Sequence, residues 1–142
     1  AKCRFVRYCS VQCQRSAWPE HKRECPGLRV CDHDADGLTL ARLISLLLLK
    51  RWRSPSKEAL RKEQVSETRW MGYDDLMSHA EELRQKPMHK VGLAMLKPLV
   101  RTILGKDAEL ADNEQLLWDA YGKIKINSVS ASTAADAGKA LY

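Results

Sequence analysis

No stretch of this 142-residue sequence is apolar for long enough to cross a bilayer. The most apolar run, LTLARLISLLLL over 38–49, contains Arg42 and is followed by Lys50, Arg51 and Arg53. It falls well short of the ~20 apolar residues a membrane span needs, so it reads as a buried helix and no membrane partner is expected. No secretory leader is visible. The sequence also lacks a phosphate-binding glycine loop, a dinucleotide fingerprint and a Ser/His/Asp set, which removes the commonest hydrolase and nucleotide-enzyme readings. No internal repeat or low-complexity tract interrupts it. The chain opens at Ala1 without an initiator Met and stops after Ala140-Leu141-Tyr142, so both ends read as truncations.

Acidic residues are scarce at the start. Residues 1–30 hold Lys2, Arg4, Arg7, Arg15, Lys22, Arg23 and Arg29 against only Glu20 and Glu24, within a chain of net charge +6. Such a basic end could meet a nucleic-acid backbone or an acidic tail. The reading preferred here is compensation, because metal–thiolate centres carry negative charge and favour cationic neighbours. Hydrophobic residues make up 44% and charged residues 30%, an ordinary globular balance. The length suits one domain, or a small module followed by a helical block.

Four of the five cysteines fall in the first 25 residues, beside a histidine, in the order Cys3, Cys9, Cys13, His21, Cys25. That is not a secreted disulfide framework; it points to reduced thiols holding metal inside the cell, in cytoplasm or nucleus. Zinc takes four tetrahedral nitrogen or sulfur ligands, most readily supplied as pairs close in sequence. Cys9 and Cys13 are four residues apart, and so are His21 and Cys25, so one helical turn would bring each pair to one side. Ser16 is expected to cap the second of these helices, with Pro19 in its first turn. Trp18 would share the face of His21 and Cys25 and cover the metal. Helices this short have almost no core, so metal binding would supply the folding free energy they lack. Buried free cysteines and a satisfied surface histidine are the bland alternative, which five potential ligands in 23 residues make hard to sustain. No general-base carboxylate is placed for a catalytic zinc. Spacing leaves the grouping open: Cys9, Cys13, His21 and Cys25 as one closed site, or five ligands shared by two interleaved sites. Cys31 and His33 read as linker residues outside the metal set.

Along the rest of the chain, residues 26–37 read as a linker opened by Pro26-Gly27 and closed by Gly37. A buried helix is expected from Thr39 to about Trp52, broken by Ser54-Pro55-Ser56. A second is expected from Tyr73 to Arg84, with Asp74 and Asp75 in its first turn and Leu76, Met77, His79, Ala80 and Leu83 facing inward. Pro87 starts a third, kinked at Pro98, and Asp112-Asn113 cap a last one through Tyr121. After Ile126 the small residues suit short strands and turns. The expected class is mainly α: a zinc finger, a helical region, and short β or turn segments near the C-terminus.

The run CRFVRYCSVQCQRSAWPEHKREC resembles the second half of a MYND zinc finger, whose pattern ends YC-x3-CQ-x2-AW-x2-HK-x2-C. Tyr8, Cys9, Cys13, Gln14, Ala17, Trp18, His21, Lys22 and Cys25 fit it. The resemblance implies a cross-brace of eight ligands and two zinc ions, with Cys9 and Cys13 serving one ion and Cys3, His21 and Cys25 the other, both sites incomplete here, by two ligands and by one. Residues 38–126 resemble the helical insert of SET- and MYND-domain protein-lysine methyltransferases, and GKIKINSVSASTAADAGKALY resembles the stretch before that family's Asn-His-x-Cys motif. By this resemblance, 1–25 ends a MYND finger, 26–37 links, 38–126 is the SET insert and 127–142 begins the SET core. It implies an S-adenosylmethionine-dependent enzyme acting on histone or other protein lysines, with His79 and Asn127 as cofactor contacts. An imidazole and an amide can hydrogen-bond a ribose or an amino-acid head without adding charge. Val129 and Lys139-Ala140 depart from the family pattern, and the glycine-rich cofactor loop and the catalytic tyrosines lie outside these residues, so the chain alone is not expected to be active. The alternative is a non-catalytic MYND module that docks proline-containing peptides.

Overall fold

Ser10 starts the first helix: its side chain accepts a hydrogen bond from the Cys13 amide at 3.1 Å, satisfying one of the amides that a helix start leaves open. In the computed structural model, which describes residues 2–52, 63–66 and 69–128, this helix (α1, Val11–Val30) runs unbroken for 20 residues. The expected break at Ser16 is therefore absent, and Pro19 lies in the helix interior rather than in a first turn. Pro26-Gly27, expected to open a linker, are likewise helical. Packing explains the difference. Both prolines are exposed, while His21, Glu24, Cys25, Gly27 and Leu28 are buried. A β-carbon on Gly27 would stand 2.3 Å from the Thr102 carbonyl oxygen, so the helix backbone sits directly against a neighbour. That burial outweighs a cost of about 3 kcal/mol for an interior proline.

The neighbour is α4 (Pro87–Leu104), which begins at Pro87 as expected and continues through Pro98 to a Gly105 stop at φ 58°. Its inner face carries Leu93, Leu96, Val100, Ile103 and Leu104. Against it lies α2 (Leu38–Trp52), one residue longer at its start than the apolar pattern gives. Leu28, Leu38, Ile44, Val100 and Ile103 are fully buried where the three helices meet. Each such aliphatic side chain is worth roughly 1.5–3 kcal/mol of hydrophobic transfer. The Ser54-Pro55-Ser56 breaker lies outside the described residues.

A two-stranded antiparallel hairpin, β1 (Glu63–Ser66) and β2 (Arg69–Met71), was not anticipated; it pairs Glu63 with Met71 and Gln64 with Trp70. The helix expected from Tyr73 to Arg84 is divided. A 3-10 turn covers Tyr73–Asp75, the chain is extended at Leu76, His79 sits in the left-handed region, and α3 occupies only Ala80–Gln85. Of the expected inner face, Ala80 and Leu83 are buried, Leu76 is half-buried, and Met77 and His79 are exposed. A second 3-10 segment (Gly105–Ala111) leads to Asn113, which caps α5 (Glu114–Asn127) by accepting from the Leu116 amide at 3.1 Å. Helix α5 closes the bundle against α2 and α3. The architecture is mainly α. Residues 129–142, expected to hold short strands, lie outside the described residues.

Candidate metal centre and the loop around His79

Cys3 is buried against α1, and Arg4 after it takes a left-handed backbone conformation (φ 62°). The Cys3 sulfur lies 3.3 Å from His21 Nε2. With Cys25 one helical turn further on, the three ligand atoms fall within 4.8 Å of one another, all buried. A tetrahedral zinc with bonds of about 2.0–2.3 Å sets its ligands roughly 3.3–3.8 Å apart, so two sulfurs and an imidazole nitrogen in this space fit that ion. Among the described residues this is the sole group of three or more such ligands so close together.

The imidazole is held from behind. His21 Nδ1 donates to Glu24 Oε1 at 2.7 Å, leaving Nε2 to face the two cysteines. Glu24 is 1% exposed, yet both of its carboxylate oxygens are bonded: Arg42 of α2 donates through Nε at 2.8 Å and through a terminal nitrogen at 2.7 Å. A buried carboxylate is costly unless paired and hydrogen-bonded, and this one is both. The guanidinium also lies over the Phe5 ring, 5.5 Å from its centroid. The exposed Trp18 ring and the half-buried Tyr8 ring flank His21, at 5.9 and 6.2 Å between centroids. Burial, and then Glu24, push the Tyr8 hydroxyl above its ordinary pKa.

Cys9 and Cys13 stand apart from this group. They are exposed, with sulfurs 3.0 Å apart across the first turn of α1. Hydrogen bonding from Ser10, and then from Cys9, holds the Cys13 thiol below its ordinary pKa. The five ligand candidates are thus arranged as three and two, not as the set of Cys9, Cys13, His21 and Cys25. His33 donates from Nε2 to the Leu28 carbonyl at 3.1 Å and meets Phe5 edge to face, while burial pushes the Cys31 thiol up. Neither joins the group.

Asn127 is tied to the short loop that carries His79, at Met77, two residues before it. Asn127 spends both amide hydrogens on carbonyls, Met77 and Lys123, each at 2.8 Å. What it retains for a ligand is its amide oxygen. One turn back, Lys123 Nζ lies 3.2 Å from the Asp119 carboxylate and 3.7 Å from the Tyr73 ring centroid. The Tyr73 hydroxyl donates to Asp119 at 2.8 Å. Burial first, and then Asp119, push that hydroxyl far above its usual range. Positions 119, 123 and 127 therefore form a ladder along α5 that grips residues 73–79. His79, at φ 46°, is exposed, with Nδ1 3.1 Å from Glu82.

Sequence reasoning missed Glu24 and Arg42. Two signals pointed to them: Glu24 lies three residues after His21, a spacing at which helix side chains meet, and Arg42 is the lone charge within an apolar run.

Residues 1–25 match the MYND finger family. The whole chain aligns at 30% identity with histone-lysine N-methyltransferase SMYD3 of Mus musculus, covering 32% of that protein. N-lysine methyltransferase SMYD2 of Bos taurus is 25% identical over 82% of the chain and 25% of its own length. The SET domain and MYND-type zinc finger protein 6 of Schizosaccharomyces pombe is 34% identical over 39% of the chain and 12% of its own length. The chain spans about a third of the length of the SMYD3 relatives it matches. No solved structure matches it. The fold and the cysteine–histidine cluster define a MYND-finger protein with a helical block behind the finger, and both features support zinc. More particularly, similarity to SMYD3 and SMYD2 through finger and helices alike supports an SMYD-type fragment. Among the described residues, no helix is long and apolar enough to cross a membrane.

Proposed function

We propose that this chain is the finger and helical region of a protein-lysine N-methyltransferase, which moves a methyl group from S-adenosylmethionine to lysines of histones or other proteins. The observation that carries this reading is identity to SMYD3 across the full chain, beyond the finger itself. Residues 1–25 are the finger, 26–37 the connection (helical as far as Val30), 38–126 the SET insert and 127–142 the entry to the SET core. Cys3, His21 and Cys25 would supply three ligands to one zinc, and Cys9 with Cys13 would supply two to a second.

Bound S-adenosylmethionine would supply the electrophilic methyl group. The chain's own part is to present His79 from a loop gripped by α5, and the Asn127 amide oxygen from the end of α5 itself. Their observed bonds leave groups that fit a ribose or an amino-acid head. The test is transfer of tritiated methyl from S-adenosylmethionine to histones by the protein translated from the complete transcript, with His79→Ala and Asn127→Ala beside it. Methylated lysine in the parent protein, and a raised KM for S-adenosylmethionine in both variants, are expected. No transfer to any protein lysine would refute the reading. A second reading, docking of a proline-containing peptide, draws on Trp18 and Val11, both exposed on α1 and seven residues apart. Quenching or shift of the Trp18 fluorescence by such a peptide would support it.

A further inference from the structure

Among the described residues, α1 carries both candidate metal ligands and core residues within a few positions. His21 and Cys25 face the cluster, while Gly27 and Leu28, immediately after, pack against α4 and the core. The bond network at Glu24 joins the two. One carboxylate accepts from the His21 ring on its own helix and from the Arg42 fork on α2.

We propose that Glu24 and Arg42 are positioning residues for the metal. Glu24 fixes His21 with Nδ1 protonated and Nε2 turned to the Cys3 and Cys25 sulfurs, and Arg42 carries that constraint into the helical block. Metal binding at this cluster and the docking of α1 on α2 are then one event. The proposal rests on reading the cluster as a zinc site. Both arms of the Arg42 fork donate to this carboxylate, one of them to the same oxygen that meets the ring. That oxygen is therefore an acceptor, the ring nitrogen beside it is the donor, and Nε2 is left for an ion. Arg42 pairs with the carboxylate and bonds both of its oxygens, which holds Glu24 against the His21 ring. Among the described residues the exposed Cys9–Cys13 pair has no comparable bond to the block, so zinc there would act on the start of α1.

The experiment is a zinc titration of the 142-residue chain followed at the ring nitrogens of His21 by 15N NMR, which reads this cluster and not the Cys9–Cys13 pair. Before zinc, Nδ1 should carry the proton. On zinc addition, Nε2 should take the shift of a metal-bound nitrogen. The variant carrying both Glu24→Leu and Arg42→Met removes the pair without stranding a buried charge. It should bind zinc at His21 about 10–100-fold more weakly, the range typical of lost outer-shell partners. Its helical block should also gain less thermal stability from zinc than the parent's. Arg42→Lys, which keeps charge but not the fork, should fall between. An unprotonated Nδ1 in the parent chain would overturn the proposal whether or not the double variant folds. So would a zinc affinity at His21 within about twofold of the parent's. No response of His21 to zinc in the parent would overturn the zinc reading itself, and this proposal with it.

Discussion

Gly122 of α5 lies so close to Ser78 that a β-carbon there would stand 2.0 Å from the Ser78 carbonyl oxygen. The contact is backbone to backbone, so no side chain can rotate away to relieve it. Gly122→Ala should therefore push the loop off α5 despite the better helix propensity of alanine. A loss of roughly 1–3 kcal/mol, the usual cost of overpacking, is expected from urea unfolding. The NMR signals of His79 and Met77 should move as well. An unchanged midpoint and unchanged signals would show that α5 does not set the loop.

The Tyr73 hydroxyl gives an alkaline signature. Its pKa is raised in the fold by burial and by Asp119, from an ordinary 10.0. A group whose folded pKa is raised contributes stability that is complete below the unfolded pKa and lost as pH rises through the folded one. Stability should thus begin to fall near pH 10 and keep falling above it. Tyr73→Phe should lose about 1 kcal/mol at neutral pH with the Asp119 hydrogen bond and should show a shallower alkaline decline. Tyr8 and Tyr121, also raised by burial, keep part of the slope in that variant. Identical pH profiles for parent and variant would remove Tyr73 as the cause.

Thiol chemistry should divide the cysteines. In the reduced, metal-free chain at neutral pH, a thiol reagent should modify Cys13 and Cys9 first, since both are exposed and the Cys13 thiol is held low. Cys31, half-buried and pushed up, should follow. Cys3 and Cys25 should react only as the fold opens. Peptide mapping of the labelled chain measures the order, and early modification of Cys25 would contradict the buried cluster.

Ile103 is fully buried beside the Gly27 contact between α1 and α4. Ile103→Ala should cost about 2–5 kcal/mol, the span seen for large-to-small core changes. The expected result is a lower unfolding midpoint at an unchanged denaturant slope.

The helices with one strong apolar stripe were legible from the residues alone. Leu38–Trp52 and the helix opened by Pro87 appear within a residue of their apolar patterns, and Asn113 caps α5 as its side chain suggests. Local signals misled where tertiary contacts prevailed. Pro19 and Pro26 read as boundaries, but the burial of Cys25, Gly27 and Leu28 carries α1 past both. Residues 73–84 have helical spacing, yet Asn127 and Gly122, some forty to fifty positions later, claim the backbone of Met77 and Ser78. The ligand types at the site were legible from spacing. The buried pair behind His21 was not, because Glu24 and Arg42 are 18 residues apart and neither carries a motif.

Two prolines seven residues apart, Pro19 and Pro26, sit on the exposed side of α1. Each removes an amide that would have bonded a carbonyl one turn earlier, so winding this segment in isolation is uphill by about 3 kcal/mol at each position. The consequence is one of timing. As the chain folds, α2 and α4 can wind and meet on their own apolar faces, whereas α1 gains its helical order only by landing on them. In amide exchange, protection along 11–30 should be lost before that of α2 and α4 and regained after it, so the end of the finger orders later than the helices it rests on.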